Sequence, residues 1–95
     1  MLRITVQDES DKVTLKLEGN LDGIWVTELE ESWRAAKSTF GNRSFRLDLT
    51  AVDCVDSAGN YLLALLRRSG VELIASGVAM SERVRTIARD WPLDK

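Results

Sequence analysis

Residues 45–66 read FRLDLTAVDCVDSAGNYLLALL, and this stretch joins a strand pattern to a helix pattern. Phe45, Leu47 and Leu49 alternate with polar residues, which predicts a strand with one buried face. Apolar side chains then recur at spacings of three and four, which predicts a helix. The helix set is Ala58, Tyr61, Leu62, Leu65 and Leu66. The junction between the two patterns, VDSAGN at 55–60, is the segment that most needs a functional explanation.

Two further alternating segments precede this stretch. Apolar residues alternate over 2–6 and again over 13–17, separated by a polar run, which predicts a hairpin. The sequence NLDG at 20–23 then supplies Asp22 as a predicted helix cap, and apolar residues at helical spacing predict a helix over about 23–39.

The segment after the junction predicts one more strand and one more helix. Gly70 is the expected end of the second helix, and residues 71–75 form a short apolar run typical of a strand. A third helix is predicted from apolar positions that include Met80, Ile87 and Trp91, with Ser81 as its N-cap. The order is therefore β-β-α-β-α-β-α. We expect one α/β domain over residues 1–95, with a four-stranded mixed sheet and about three helices packed mainly on one face.

Composition excludes several classes of function. The chain is 44% hydrophobic and 29% charged, which is typical of a soluble globular domain. Its net charge of -2 does not suit the neutralisation of a phosphate backbone, so nucleic acid is not an expected partner. It has no histidine, which argues against hydrolytic triads and zinc sites, and we expect neither an enzyme nor a metal or cofactor site.

The sequence also carries signals for the cellular compartment and for the state of the cysteine. No run of about 18 apolar residues is present, and the first residues do not resemble a secretory signal, so we expect a cytoplasmic protein without membrane insertion. Cys54 is the single cysteine and lies in an apolar stretch, which predicts a buried side chain. Trp25 is predicted to flank the core, with an exposed partner anchor as the alternative.

The junction itself has a structural and a functional interpretation. If the helix begins at Ala58, Ser57 is its N-cap, a role worth about 1 kcal/mol. Gly59 in the first turn would leave the helix N-terminus open to approach, and such an N-terminus attracts anions. Asp56 ends the strand, at the edge of an α/β sheet where ligands and partners dock.

Three segments resemble one known family. The run LDLTAVDCVDSAG at 47–59 is similar to the signature of STAS domains, the family of bacterial anti-sigma-factor antagonists, in which DSxG opens a helix after an apolar strand. LEGNLD at 17–22 resembles the family's GxLD, and SGVAMSERVRTI at 76–87 resembles the loop before its last helix. The resemblance extends over nearly the whole chain. It departs from the family pattern at Asn60 and Tyr61, where a small or apolar residue is common.

The resemblance implies a binding module controlled by phosphorylation. Ser57 would be the phosphoacceptor, and Asp22, Asp56, Ala58, Gly59 and Asn60 would form the partner-binding surface. The implied partners are an anti-sigma factor with serine kinase activity and a PP2C-type phosphatase. Phosphorylation of Ser57 would disrupt partner binding and leave the fold intact.

A second hypothesis belongs to another functional class. Small STAS proteins also resemble accessory subunits of ABC-type phospholipid transporters, which bind the transporter ATPase without a phosphorylation switch. Ser57 would then be only a helix cap. The sequence leaves the partner, the regulated process and the oligomeric state open.

Overall fold

The computed structural model describes residues 1–41 and 43–90, within which the chain forms four strands and three helices. In chain order they are β1 (Leu2–Asp8), β2 (Lys12–Leu21), α1 (Ile24–Phe40), β3 (Ser44–Val55), α2 (Ser57–Arg68), β4 (Glu72–Ile74) and α3 (Val78–Asp90). This confirms the predicted order β-β-α-β-α-β-α. Trp91, predicted to belong to the third helix, lies outside the described residues.

The four strands form one mixed sheet in the order β1-β2-β3-β4. The polar segment at 9–11 returns the chain into an antiparallel β1–β2 pair, in which Ile4 lies opposite Leu17. β2 pairs parallel with β3, and β3 pairs parallel with β4. A parallel pair needs a crossover connection, and α1 and α2 supply the two crossovers.

The core lies on one face of this sheet. β2 contributes the fully buried Val13, Leu15 and Leu17. β3 contributes Leu47 and Leu49, each at most 1% exposed. They form one cluster with buried residues of all three helices. The helical members are Leu29, Ala36, Leu62, Leu63, Ala64, Leu66 and Ile87.

The opposite face of the sheet carries polar and charged side chains. Neighbouring strands place Arg3 beside Glu18, and Lys16 beside Asp48, with opposite charges in register. Opposite charges directly across a strand pair stabilise a sheet modestly. The two faces therefore confirm that the helices cover one side of the sheet.

Three local predictions need correction. α3 begins at Val78, so Ser81 lies inside the helix instead of capping it. α1 has Gly23 as its N-cap without a side-chain cap hydrogen bond, so Asp22 is not the cap. In α2 the buried positions are Gly59, Leu62, Leu63, Ala64 and Leu66, whereas Tyr61 and Leu65 are exposed. The α2 stripe differs because the helix contacts the sheet and both other helices, which buries a wider arc than one stripe.

Candidate functional site

The strands β2 and β3 end side by side, and the helices that follow them, α1 and α2, begin from that edge of the sheet. Leu21, the last residue of β2, pairs with Val55, the last residue of β3. Asp22 and Asp56 follow directly, so both acids leave the sheet at the same edge. This is the carboxyl edge of parallel strands, where α/β proteins bind ligands and partners.

Asp56 holds the two helix starts together. Its Oδ1 accepts a hydrogen bond of 2.7 Å from the backbone amide of Gly59, in the first turn of α2. Its Oδ2 accepts one of 3.0 Å from the amide of Gly23, the residue that precedes α1. The amide of Asp56 donates to the carbonyl of Leu21 at 3.2 Å. One residue therefore links the end of β2 to the beginnings of both helices.

These hydrogen bonds also set the ionisation of Asp56. The amide of Gly23, followed by that of Gly59, stabilises the charged carboxylate and holds the pKa of Asp56 below its ordinary value. The carboxylate is ionised at neutral pH, and it contributes a fixed negative charge beside Ser57.

Asp56, not Ser57, is the N-cap of α2, which corrects the prediction from the sequence. Asp56 has the extended backbone that an N-cap requires, whereas Ser57 is already the first helical residue. The Ser57 side chain is exposed, and its hydroxyl makes no hydrogen bond within residues 1–41 and 43–90. The structural role and the predicted phosphoacceptor role therefore belong to neighbouring residues.

Gly59 is required for close packing and does not open the helix N-terminus. The residue is buried, and a Cβ at this position would lie 2.7 Å from the carbonyl oxygen of Leu21 and 2.9 Å from Cγ1 of Val55. Its amide is occupied by Asp56. The prediction of freely accessible amides at Gly59 is therefore wrong, because the glycine lets α2 begin directly against the end of β2.

The remaining predicted residues lie around this junction. Ala58 is exposed in the first turn of α2, and Asp22 is half-buried. The carbonyl of Asp22 accepts a hydrogen bond of 3.0 Å from the amide of Trp25. Trp25 is partly buried and packs against the core, as predicted for a flanking residue.

Asn60 contacts a residue that the sequence did not single out. Its Oδ1 accepts a hydrogen bond of 3.2 Å from Nη1 of Arg83 on α3. Both side chains are half-buried. The helical spacing of α3 predicted an amphipathic helix, but nothing in it identified Arg83 as the residue that meets the start of α2.

Two large apolar side chains are exposed near the starts of α1 and α2. Ile24, the first residue of α1, is 75% exposed, and Tyr61, one helical turn after Ser57, is 54% exposed. Ile24 was not singled out from the sequence, although its position beside the GxLD-like segment was an available signal. We define the docking edge as Asp22, Ile24, Ser57, Ala58 and Tyr61. Exposed apolar residues next to a polar group are typical of a surface that binds another protein.

Cys54 lies just before the junction, and the prediction that it is buried is wrong. The side chain is exposed, and its thiol donates a hydrogen bond of 3.2 Å to Oδ1 of Asn20. The apolar character of the neighbouring residues was misleading, because Cys54 is an even number of residues from Arg46 and Asp48, which alternate with the buried residues of β3.

No cluster of acidic and cysteine side chains suited to hold a metal ion occurs among residues 1–41 and 43–90. No helix in these ranges is both long and apolar enough to span a bilayer.

Comparisons with solved structures identify the fold as STAS-type. An anti-sigma factor antagonist from Mycobacterium paratuberculosis superposes with a TM-score of 0.80 at 21% identity, covering 98% of this chain and 85% of that one. The anti-sigma factor antagonist SpoIIAA, in its unphosphorylated form, gives a TM-score of 0.60 at 14% identity, covering 90% and 97%. An uncharacterised protein from Shewanella loihica with a SpoIIAA-like fold gives 0.60 at 17% identity, covering 98% and 82%. No protein-family model matches the sequence.

Proposed function

We propose that this protein is a protein-interaction module of the anti-sigma-factor-antagonist type, without enzymatic activity, and that phosphorylation of Ser57 switches off partner binding. The observation that carries the proposal is the separation of roles at the junction. Asp56 caps α2, so the exposed hydroxyl of Ser57 is free to be modified without loss of the cap. The likeness to two anti-sigma factor antagonists supports the class of module.

Phosphorylation would change the charge of the docking edge more than the fold. A phosphoserine carries about -1.5 to -2 charge at neutral pH. At the first residue of α2 it would interact favourably with the helix dipole, while the carboxylate of Asp56 would oppose it. A partner surface fitted to a neutral hydroxyl, flanked by the apolar Ile24 and Tyr61, would have to desolvate the phosphate. Partner binding should therefore weaken while folding stability changes little.

The proposed partner is an anti-sigma factor with serine kinase activity, and a PP2C-type phosphatase would reverse the modification. The first experiment incubates the protein with ATP and the candidate kinase encoded nearest its gene, and maps the phosphorylated residue by mass spectrometry. We expect phosphate on Ser57 and none on the Ser57→Ala variant. Phosphate confined to other serines would contradict the proposal.

Affinity measurements then test the switch. Isothermal titration calorimetry should give similar affinities for the wild type and Ser57→Ala, and at least about tenfold weaker binding for Ser57→Asp, equivalent to about 1.4 kcal/mol. Ser44→Asp is the matched control, because Ser44 is exposed at the start of β3, at the opposite end of the strand. The switch is refuted if Ser57→Asp and Ser44→Asp bind equally well.

A constitutive interface is the second candidate function. The exposure of Ile24 and Tyr61 favours it, because large apolar side chains at a permanent contact would be buried continuously in the complex. The partner in this case would be the ATPase of an ABC-type phospholipid transporter. Co-purification of the ATPase with equal yield by the wild type, Ser57→Ala and Ser57→Asp would support this role over the switch.

A further inference from the structure

The side of α2 that carries Ser57 also carries Asn60, where α2 meets α3. Steps of three and four residues from Ser57 lead to Asn60, Ala64 and Arg67, which share one side of the helix. Asn60 contacts Arg83 of α3, and Ala64 is fully buried. Ser57 therefore lies one helical turn from Asn60, the side chain that binds Arg83.

Arg83 has spare hydrogen-bonding capacity at this position. A guanidinium has five N–H donors, and Arg83 uses one of them, on the neutral amide oxygen of Asn60. No carboxylate forms an ion pair with Arg83 in the described part of the chain. Its neighbour Glu82 is paired with Arg85 at 2.7 Å. Among the described residues, the arginine is thus held by a neutral amide and not by a carboxylate.

Helix geometry gives a reason to expect this charge near Ser57. In an α-helix the Cα–Cβ bonds tilt towards the N-terminus, so the Asn60 amide leans towards the turn that contains Ser57. Residues three apart have Cβ atoms about 5–6 Å from one another. A phosphoryl group on Ser57 would extend into the same region as the guanidinium, and arginine is well suited to bidentate contact with phosphate.

We propose that Arg83 is the internal counter-charge of phosphorylated Ser57, and that Asn60 holds it ready for that contact. The inference rests on the proposed function, because it needs Ser57 to be a phosphoacceptor. In the unphosphorylated protein the guanidinium stays on Asn60, where its charge remains available to an acidic group of the partner. In the phosphorylated protein it turns to the phosphate, so modification changes the docking edge at two residues.

The test uses protein with phosphoserine incorporated at position 57 during translation, so it requires neither the kinase nor the partner. The 31P chemical shift of the phosphoserine is followed against pH for the wild type and for Arg83→Ala. The second pKa of free phosphoserine is about 6. Arg83→Ala removes a cation from contact with the phosphate, and this should raise the pKa of the phosphoserine, read as the titration midpoint, by about 1 pH unit, as expected for an opposite charge within about 4–6 Å. Arg83→Lys, which keeps the charge but loses the bidentate geometry, should give an intermediate midpoint.

The matched control is Arg85→Ala, because Arg85 is also on α3 but is paired with Glu82 on the exposed surface. Its midpoint should equal that of the wild type. Circular dichroism of each variant establishes that α3 is intact. Equal midpoints for the wild type and a folded Arg83→Ala would overturn the inference and leave the role of Ser57 as phosphoacceptor unaffected. Conversely, absence of kinase-dependent phosphate on Ser57 would remove the proposed function, whatever the 31P titration shows.

Discussion

Replacement of Gly59 by alanine is the sharpest test of how the docking edge is built. At an exposed helical position this change stabilises a protein, because alanine has a helix propensity about 1 kcal/mol better than that of glycine. At Gly59 the added methyl would lie 2.7 Å from the carbonyl oxygen of Leu21 and 2.9 Å from Cγ1 of Val55. Both distances are shorter than ordinary van der Waals contact.

The surrounding atoms cannot easily move away. The Leu21 carbonyl accepts a hydrogen bond from the amide of Asp56, and Leu21 is itself fully buried. Overpacking of this kind costs about 1–3 kcal/mol. The steric cost therefore equals or exceeds the propensity gain, and we expect Gly59→Ala to lower the free energy of unfolding by up to about 2 kcal/mol. The melting temperature should fall by roughly 4–8 °C for each kcal/mol.

Urea denaturation followed by tryptophan fluorescence measures the change, and Ala58→Gly is the matched control. Ala58 is exposed in the same helical turn, so its replacement by glycine measures the propensity difference without a steric contribution. We expect Ala58→Gly to destabilise by about 0.5–1 kcal/mol. If Gly59→Ala instead raises the free energy of unfolding by the amount that Ala58→Gly lowers it, the close approach of α2 to Leu21 is refuted.

Three other predictions concern neighbouring residues. Ser57→Ala should change the free energy of unfolding by less than about 0.5 kcal/mol in urea denaturation, as is usual for exposed positions, and a loss of more than about 1 kcal/mol would restore Ser57 as the N-cap. Because the pKa of Asp56 is lowered in the folded state, its contribution to the free energy of unfolding is fully present above the unfolded pKa of about 4 and is lost as pH falls towards the folded pKa. The free energy of unfolding, measured from pH 7 to 2, should therefore fall less steeply with acid for Asp56→Asn than for the wild type, and an unchanged pH profile would contradict the two amide contacts. Cys54 should react stoichiometrically with a thiol reagent in native buffer, at a rate close to that in urea. A rate in native buffer more than about a hundredfold slower, equivalent to about 2.7 kcal/mol for local opening, would contradict its exposure.

Much of the fold could be predicted because its strands follow simple alternation. Leu15 and Leu17, and likewise Leu47 and Leu49, are separated by single polar residues, and all four are buried. A period of two assigns one face to the core without knowledge of the neighbouring strands. The helices were located by their period, but the α2 stripe was misassigned because Leu63 and Ala64, which lie outside the predicted stripe, are fully buried.

The details of the site could not be predicted, because they depend on contacts between distant parts of the chain. Asp56 and Ser57 are both good N-cap residues, and sequence preference alone does not choose between them. The amide of Gly23 lies 33 residues earlier in the chain and binds the second oxygen of Asp56. The contact of Asn60 with Arg83 also depends on how α3 lies across α2, and no local pattern encodes that placement.

The double contact of Asp56 also determines how this edge of the molecule fluctuates. A single carboxylate is bound to the amides of Gly23 and Gly59, so the first turn of α2 cannot fray without releasing the start of α1. Local opening is therefore coupled between two segments that are far apart in sequence, and they form one cooperative unit. A partner that binds the docking edge meets a preorganised surface and loses little conformational entropy on binding.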